Sequence, residues 1–516
     1  MNFRGVGRFA LVALPILLWA GCGQVYRPVV IPCITGGIPG CPTEQPPSPA
    51  NFHAVFGLSA NVPTSPGGAM QIDVAGDSII GQTPTSATDS TNLGNIPTHA
   101  AILPNDSEVF VVGAGSLVPG GLDVVSSFTP ASQSRTATGL GTVNDIILPS
   151  GSQPVFVSTT ETNFVYVANF GTNSVSAVSV LSNQVANTAV VGTNPVALAE
   201  ATIAGGNKLY VANQGSNTVS SLNALDLSSN VVTGFTGITP VWVVARVDGQ
   251  KVYVLTQGDG QLVTIDTATD TVTSSLPVGA GANFVFYDPK LGRLYVTNPA
   301  TGMVYVFSDT GGMSGGVVGD IPVQLAAISF AAGSTSCPLG CTPASVTALA
   351  DGSRFYVASY QIPTTCPDTL AGTAGSCVIA GLSVFDANNF APEYPSAPAN
   401  QRPMHLLTFP PFTATPAANP TQYQYAVPPV TSCAPAALYA PGTTRFRVFT
   451  VASVDSSRVY VGMCDAGAIA VINTTASNTN NPLGGTPADT LVTDLMAAPQ
   501  PSGVVPQNPI FLFTGQ

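Results

Sequence analysis

The chain of 516 residues is 45% hydrophobic but only 8% charged, and its net charge is −12 with 14 Lys plus Arg. That balance excludes the basic stripe with which a nucleic-acid binder displaces counterions from phosphates, and it excludes a charge-driven contact with an anionic membrane surface. A large core is available, while 52 Gly and 45 Pro argue against long helices and for many short strands joined by tight turns.

The first segment, "MNFRGVGRFALVALPILLWAGC", places Arg4 and Arg8 before an apolar run from Phe9 to Ala20. The run is shorter than the roughly 20 residues of a membrane span and reads as a signal peptide over residues 1–21. Its end, "LWAGC", resembles a bacterial lipobox. The resemblance implies that Cys22 becomes the first mature residue and is lipidated, which would anchor the chain to a membrane. An ordinary signal peptide with an incidental Cys22 is the alternative. Gly23 follows, and by analogy with Gram-negative lipoprotein sorting a residue other than Asp there permits transfer to the outer membrane. The expected address is therefore the cell envelope, extracytoplasmic and lipid-anchored. Residues 22–51 are Pro-rich ("IPGCPTEQPPSPAN") and read as a semi-rigid tether; an ordered plug on the following domain is the alternative. No later segment reads as transmembrane.

From residue 52 onward the chain repeats itself. "YVANFGTNSVSAV" starts at Tyr166 and "YVANQGSNTVSSL" at Tyr210, and Tyr253 and Tyr295 open related phrases, with spacings of 44, 43 and 42 residues. Each unit reads as a short strand, a turn, the Tyr-Val strand, a Gly/Asn turn, a third strand and a fourth. Apolar residues alternate with small or polar ones at period 2, and Gly and Asn supply the turn conformations. A lone four-stranded sheet cannot bury both faces, whereas a ring of such sheets can. The expected fold is all-β, a β-propeller of four-stranded antiparallel blades spanning residues 52–516.

The repeats resemble the YVTN family of bacterial β-propellers. "YVTN" stands at Tyr295 to Asn298, "YVAN" at Tyr166 and Tyr210, and "TIDTATDTV" begins at Thr264. Weaker units place Phe110, Tyr356 and Tyr460 at the Tyr position. "HAVFGLSANVPTSPGGAMQIDVAG" reads as a unit lacking its first strand, and "NPIFLFTGQ" at the C-terminus as a first strand lacking its unit. Joined, they close the ring and bring the count to eight blades. Seven is the alternative, because residues 310–450 are irregular. The Tyr residues are expected to pack between sheets, Asn169 and Asn213 to form turns, and Asp226, Asp266 and Asp386 to cap turns.

With Cys22 set aside, Cys33, Cys41, Cys337, Cys341, Cys366, Cys377, Cys433 and Cys464 remain, an even number that suggests disulfides in an exported chain. Proximity favours the pairs 33–41, 337–341, 366–377 and 433–464. Zinc is the alternative, but the spacings are not those of a standard site and only three His are present. Insertions are expected at about 331–343, 359–377 and 387–445, all projecting from one face over the last two blades. Tyr360, Gln361, Asp368 and Asp465 are candidate binding residues of that loop crown.

No HExxH, phosphate loop or haem-attachment motif occurs, and no catalytic residue, metal or cofactor is assigned. Candidates to line the central channel are His99, Glu200, Trp242, Arg246, Arg445 and Arg447. Three functional readings follow. The first is a tethered binding or scaffold module for an envelope protein or glycan, with a monomeric propeller. The second is a lactonase-like hydrolase using the channel. The third is a purely structural envelope lipoprotein.

Overall fold

The computed structural model describes residues 54–60, 67–74, 77–84, 97–117, 121–131, 140–203, 206–314, 317–319, 321–334, 336–337, 340–364, 376–392, 406–408, 427–475, 488–496 and 508–515. They form eight four-stranded antiparallel sheets and one two-stranded hairpin. Blade 1 takes its inner strand, Pro509–Thr514, from the C-terminus and its other three, Ala54–Ser59, Gly68–Asp73 and Ser78–Pro84, from the N-terminal side. The inner strands of blades 2 to 8 are Pro97–Ile102, Pro154–Ser158, Pro195–Ala201, Pro240–Ala245, Phe284–Asp288, Thr342–Ala348 and Val448–Ala452. Each touches the next, and that of blade 8 touches that of blade 1, so the ring is closed. The chain is therefore an eight-bladed β-propeller, and the seven-blade alternative falls.

The closing sheet is built as the sequence implies. Phe511 stands opposite Leu58 and Phe513 opposite Phe56, whose rings stack at 5.2 Å. The backbone N–H of Asn508 donates to Ser59 Oγ at 2.9 Å.

Within a blade, the second-to-third hairpins turn at Asn173 (φ 54°), Asn217 (φ 56°) and Gly260 (φ 64°), residues that tolerate the left-handed region. Asn169 and Asn213 act beside these turns rather than in them. The Nδ2 group of Asn169 donates to the hydroxyls of Ser174 and Ser176, at 3.1 and 2.8 Å, and Asn213 repeats this with Thr218 and Ser220. Asp226, Asp266 and Asp386 cap the third-to-fourth turns: their Oδ1 atoms accept N–H groups of Ser228, of Ala268 and Thr269, and of Asn388 and Asn389.

Tyr166, Tyr210, Tyr253, Tyr295, Tyr356 and Tyr460 are fully buried, as is Phe110 at the same place in blade 2. Several reach across the blade junction. The Tyr166 hydroxyl donates to the Ala224 carbonyl in blade 4 at 2.9 Å. That of Tyr210 donates to Asp270 in blade 5, and that of Tyr356 to Asp489 in blade 8. A basic residue two positions earlier joins in. Lys208 pairs with Asp270, Arg354 with Asp489, and Arg458 with Asp77 of blade 1. The three acceptors occupy one place, immediately before the fourth strand, with φ of 53°, 56° and 46°. The repeated phrase is therefore a staple from one blade to the next.

The expectation of one-sided insertions needs correction. Blade 7 has its second strand at Arg354–Gln361, its third at Ile379–Asp386 and its fourth at Leu406–Thr408. The stretch 387–445 is thus two connections, and its first part leaves from the face of the third-to-fourth turns. A hairpin, Gly312–Ser314 with Val317–Gly319, leaves blade 6 from that same face. Period-2 patterning identifies strands but misses a three-residue one in a Pro-rich stretch. The leader, the tether with Cys22, Cys33 and Cys41, and also Cys366 and Asp368, lie outside the described residues. Among the described residues no helix is long and apolar enough to cross a membrane.

Candidate functional site: a plugged channel and a strap across its mouth

The strand registers define one equivalent position on all eight inner strands. It holds Phe511, His99, Phe156, Ala197, Trp242, Phe284, Ser345 and Phe449 from blade 1 to blade 8. The six aromatic rings form a closed circuit. His99 contacts Phe156 and Phe511, Phe156 contacts Trp242, Trp242 contacts Phe284, and Phe449 joins Phe284 to Phe511, with centroids 3.8 to 5.6 Å apart. Phe446 packs on Trp242, Phe284 and Phe449. Aromatic side chains therefore plug the axis of the ring. Contacts of this kind contribute about 0.5–1.5 kcal/mol each beyond their buried area.

His99 belongs to this plug. Its Nδ1 faces the Val157 N–H at 3.5 Å. Burial, and next the charge of Arg445, lower its pKa to about 3, so the ring is neutral at physiological pH. Trp242 is a second plug member.

The two small residues leave room for the segment entering blade 8. Residues 430–447 run as a strap from blade 8 to blade 4. One end is fixed by the Cys433–Cys464 disulfide. Asp465 Oδ1 accepts both the Val430 N–H at 2.7 Å and Arg447 Nη1 at 2.6 Å. The far side is held when Gln214 Nε2 donates to the Tyr439 carbonyl at 3.0 Å and Arg445 Nη2 to the Val196 carbonyl, beside Ala197, at 2.9 Å. The Arg445 guanidinium lies between two rings, 4.8 Å from Trp242 and 4.0 Å from Tyr439, both within cation–π range.

Between the strap and blades 5, 6 and 7 lies a cavity of about 480 Å³. Its walls are mainly apolar, with Val241, Ala300, Pro343 and Leu438 among them. Its polar groups include Gln257, Asn283, Tyr360, Arg445 and Arg447, and no carboxylate among the described residues lines it. Arg445 and Arg447 precede the inner strand Val448–Ala452 rather than lying on it, so they reach the mouth of the channel and not its bore.

Other candidates serve structure. Gln361 is buried and donates to the sulfurs of the Cys337–Cys341 disulfide at 3.1 and 3.3 Å. Tyr360 carries the Arg447 guanidinium over its ring at 5.5 Å. Asp465 is buried beneath the strap, and burial raises its pKa despite Arg447. Cys377 is buried. Arg246 is engaged by Asp248 of its own turn through two bonds of 2.8 Å. Glu200 accepts from Thr160 at 2.7 Å and from Ser158 at 3.4 Å, and burial raises its pKa to about 7. It lies four residues beyond Val196, about 13 Å along the strand, near the opposite face. His99 and Arg445 are thus near each other at the mouth, whereas Glu200 and Arg246 are at the other end. No group of three or more His, Cys, Asp or Glu among the described residues could hold a metal ion.

Sequence reasoning missed Phe156, Phe284, Phe446, Gln214, Gln257 and Tyr439. A signal existed for Phe156: "PTH", "PVF", "PVW" and "PIF" begin blades 2, 3, 5 and 1, and the third residue of each faces the axis.

No protein-family model matches the chain, and no curated protein matches it in sequence. Solved structures match in fold. A putative 6-phosphogluconolactonase from Bacteroides uniformis is 12% identical over 90% of this chain and 99% of that one, with a TM-score of 0.45. A Lactobacillus plantarum protein is 16% identical over 66% and 95%, at 0.45. Hydrazine synthase of Kuenenia stuttgartiensis is 13% identical over 63% and 78%, at 0.39. At such values the likeness says nothing of ligand or activity.

Proposed function

We propose that this protein is a lipid-anchored, extracytoplasmic β-propeller of the YVTN type that binds a protein or glycan partner of the cell envelope through the face carrying the strap. The strap carries the reading. A segment cross-linked at one end and hydrogen-bonded across 225 residues at the other is a rigid platform, and loops held on rigid scaffolds are where binding residues concentrate. The two disulfides among the described residues are compatible with an oxidising compartment. The "YVAN" and "YVTN" phrases support the family, and the leader ending at Cys22 supports the anchor. The hydrolytic alternative has less support, because His99 is packed and neutral while Glu200 sits at the other end of the bore.

The test is a pull-down from native envelope extract with the full chain, beside Leu438→Glu on the exposed strap and Val247→Glu on the opposite face. Capture by the wild type and V247E, lost in L438E, is the expected result. Equal capture by all three, or by none, removes the reading. Incorporation of a labelled fatty acid, abolished by Cys22→Ala, checks the anchor.

A further inference from the structure

The cavity under the strap is at odds with the charge of the molecule. The chain carries a net −12, yet among the described residues two arginines and no carboxylate line this space. Arg447 is neutralised by Asp465. Arg445 is not: its contacts are two aromatic faces and one carbonyl, and its buried Nη1 has no acceptor among the described residues. Burial lowers its pKa to about 10, which leaves it charged at neutral pH. Among the described residues no carboxylate pairs with this partly buried guanidinium, and an unpaired charge at such a site is destabilising.

We propose that the cavity binds a small organic monocarboxylate, with the carboxylate on Arg445 and an apolar body along the strap and the walls of blades 5 to 7. This deepens the binding reading above and rests on its placement of the binding face. One uncompensated positive charge calls for one negative charge. The guanidinium carbon sits over the Trp242 and Tyr439 rings, Arg445 lines the cavity, and a planar guanidinium fork matches a carboxylate. Val241, Ala300, Pro343 and Leu438 favour carbon over further polar groups. The volume of about 480 Å³ lies within the roughly 300–1,000 Å³ of small-molecule sites. A second space beside Arg445, next to Thr98 and His99, is about 10 Å³, too small for an organic anion.

Trp19 and Trp242 are the two tryptophans of the chain, so Trp19→Phe leaves a single reporter beside Arg445. This full-length protein is titrated with hexanoate, hexanamide and sodium phosphate, followed by Trp242 fluorescence and by calorimetry. Hexanoate is expected to saturate, with hexanamide and phosphate at least tenfold weaker. Arg445→Gln should weaken hexanoate at least tenfold and leave hexanamide unchanged. Ala300→Leu, which narrows the cavity at its wall and keeps Arg445, should weaken hexanoate binding severalfold with circular dichroism and melting temperature retained. Equal binding of hexanoate and hexanamide overturns the proposal. So does phosphate binding as tightly as hexanoate, which would mark an inorganic-anion site, or no saturation by any probe in folded protein. Hexanoate binding without partner capture would defeat the macromolecular partner alone; partner capture without hexanoate binding would defeat this inference alone.

Discussion

On one face of the ring, the junctions are held by a contact set that recurs: a basic residue and a Tyr from one blade close on an Asp just before the fourth strand of the next. It appears as Lys208 and Tyr210 on Asp270, as Arg354 and Tyr356 on Asp489, and as Arg458 on Asp77. On the other face no ion pair recurs among the described residues; what recurs is lighter, the hairpin residues Asn173 and Asn217 accepting the N–H groups of Asn194 and Thr239 that open the next blade. There the junctions are spanned by one strap, held by a disulfide, by Arg447 on Asp465 and by Arg445 on the Val196 carbonyl. The comparison separates two tasks. The repeating face sets the spacing of the blades, and because it does so, the other face can carry a single irregular element and a cavity without loss of the ring.

The comparison can be broken or sharpened by substitution. The largest effect is expected from deleting residues 508–516, which removes the inner strand of blade 1. Burying four large apolar side chains contributes about 6–12 kcal/mol at 1.5–3 each, as much as a domain's whole stability. Loss of cooperative thermal unfolding is the expected outcome, and an unchanged melting curve would refute closure by the two ends.

Next come one change on each face. Asp270→Ala leaves Lys208 without its counter-charge, with only the Thr267 carbonyl to accept from it and from Tyr210, and should cost about 3 kcal/mol in urea unfolding. Cys433→Ser opens a loop of sequence separation 31 and should cost about 3–4 kcal/mol on a chain-entropy basis. Hydrogen exchange separates the two. The serine variant should lose protection over 434–447 and keep it at the blade 4–5 junction, with the reverse for D270A.

The bore supplies two opposite pH responses. His99 has its pKa lowered from 6.5 to about 3 by burial, so below pH 6.5 the unfolded chain takes up a proton that the folded chain refuses. Stability should then fall by up to about 1.4 kcal/mol per pH unit toward pH 3, and His99→Phe should flatten that slope. Glu200 has its pKa raised from 4.5 to about 7, so the folded chain keeps a proton that the unfolded chain releases. Its contribution is lost as pH rises from 4.5 through 7, and Glu200→Gln should gain about 2–3 kcal/mol on the wild type at pH 8 relative to pH 5. Urea titrations at three pH values measure both.

The smallest effect distinguishes two equally buried tyrosines. Tyr210→Phe removes a hydroxyl bonded to Asp270 and should cost about 1–2 kcal/mol. Tyr460→Phe removes a hydroxyl with no hydrogen-bond partner among the described residues and should be within about 0.5 kcal/mol of neutral.

The sequence by itself determined the blades. Alternation, turn glycines and asparagines, and the spacing of Tyr166, Tyr210, Tyr253 and Tyr295 are local features, and strands and hairpins respond to local rules. The half-unit at each end specified closure for the same reason: each lacked what the other had. Proximity along the chain also sufficed for Cys337 with Cys341 and for Cys433 with Cys464. Tertiary structure alone decided what the candidate residues do. His99 and Trp242 became parts of a plug, Gln361 and Asp465 became supports, and Arg445 became the charged wall of a cavity. Those roles depend on partners such as Val196, Gln214 and Trp242, which lie 200 residues or more from the strap residues they meet. Such partners are adjacent only because a ring of eight blades brings distant inner strands to one axis, and no periodicity along the chain encodes which of them meet there.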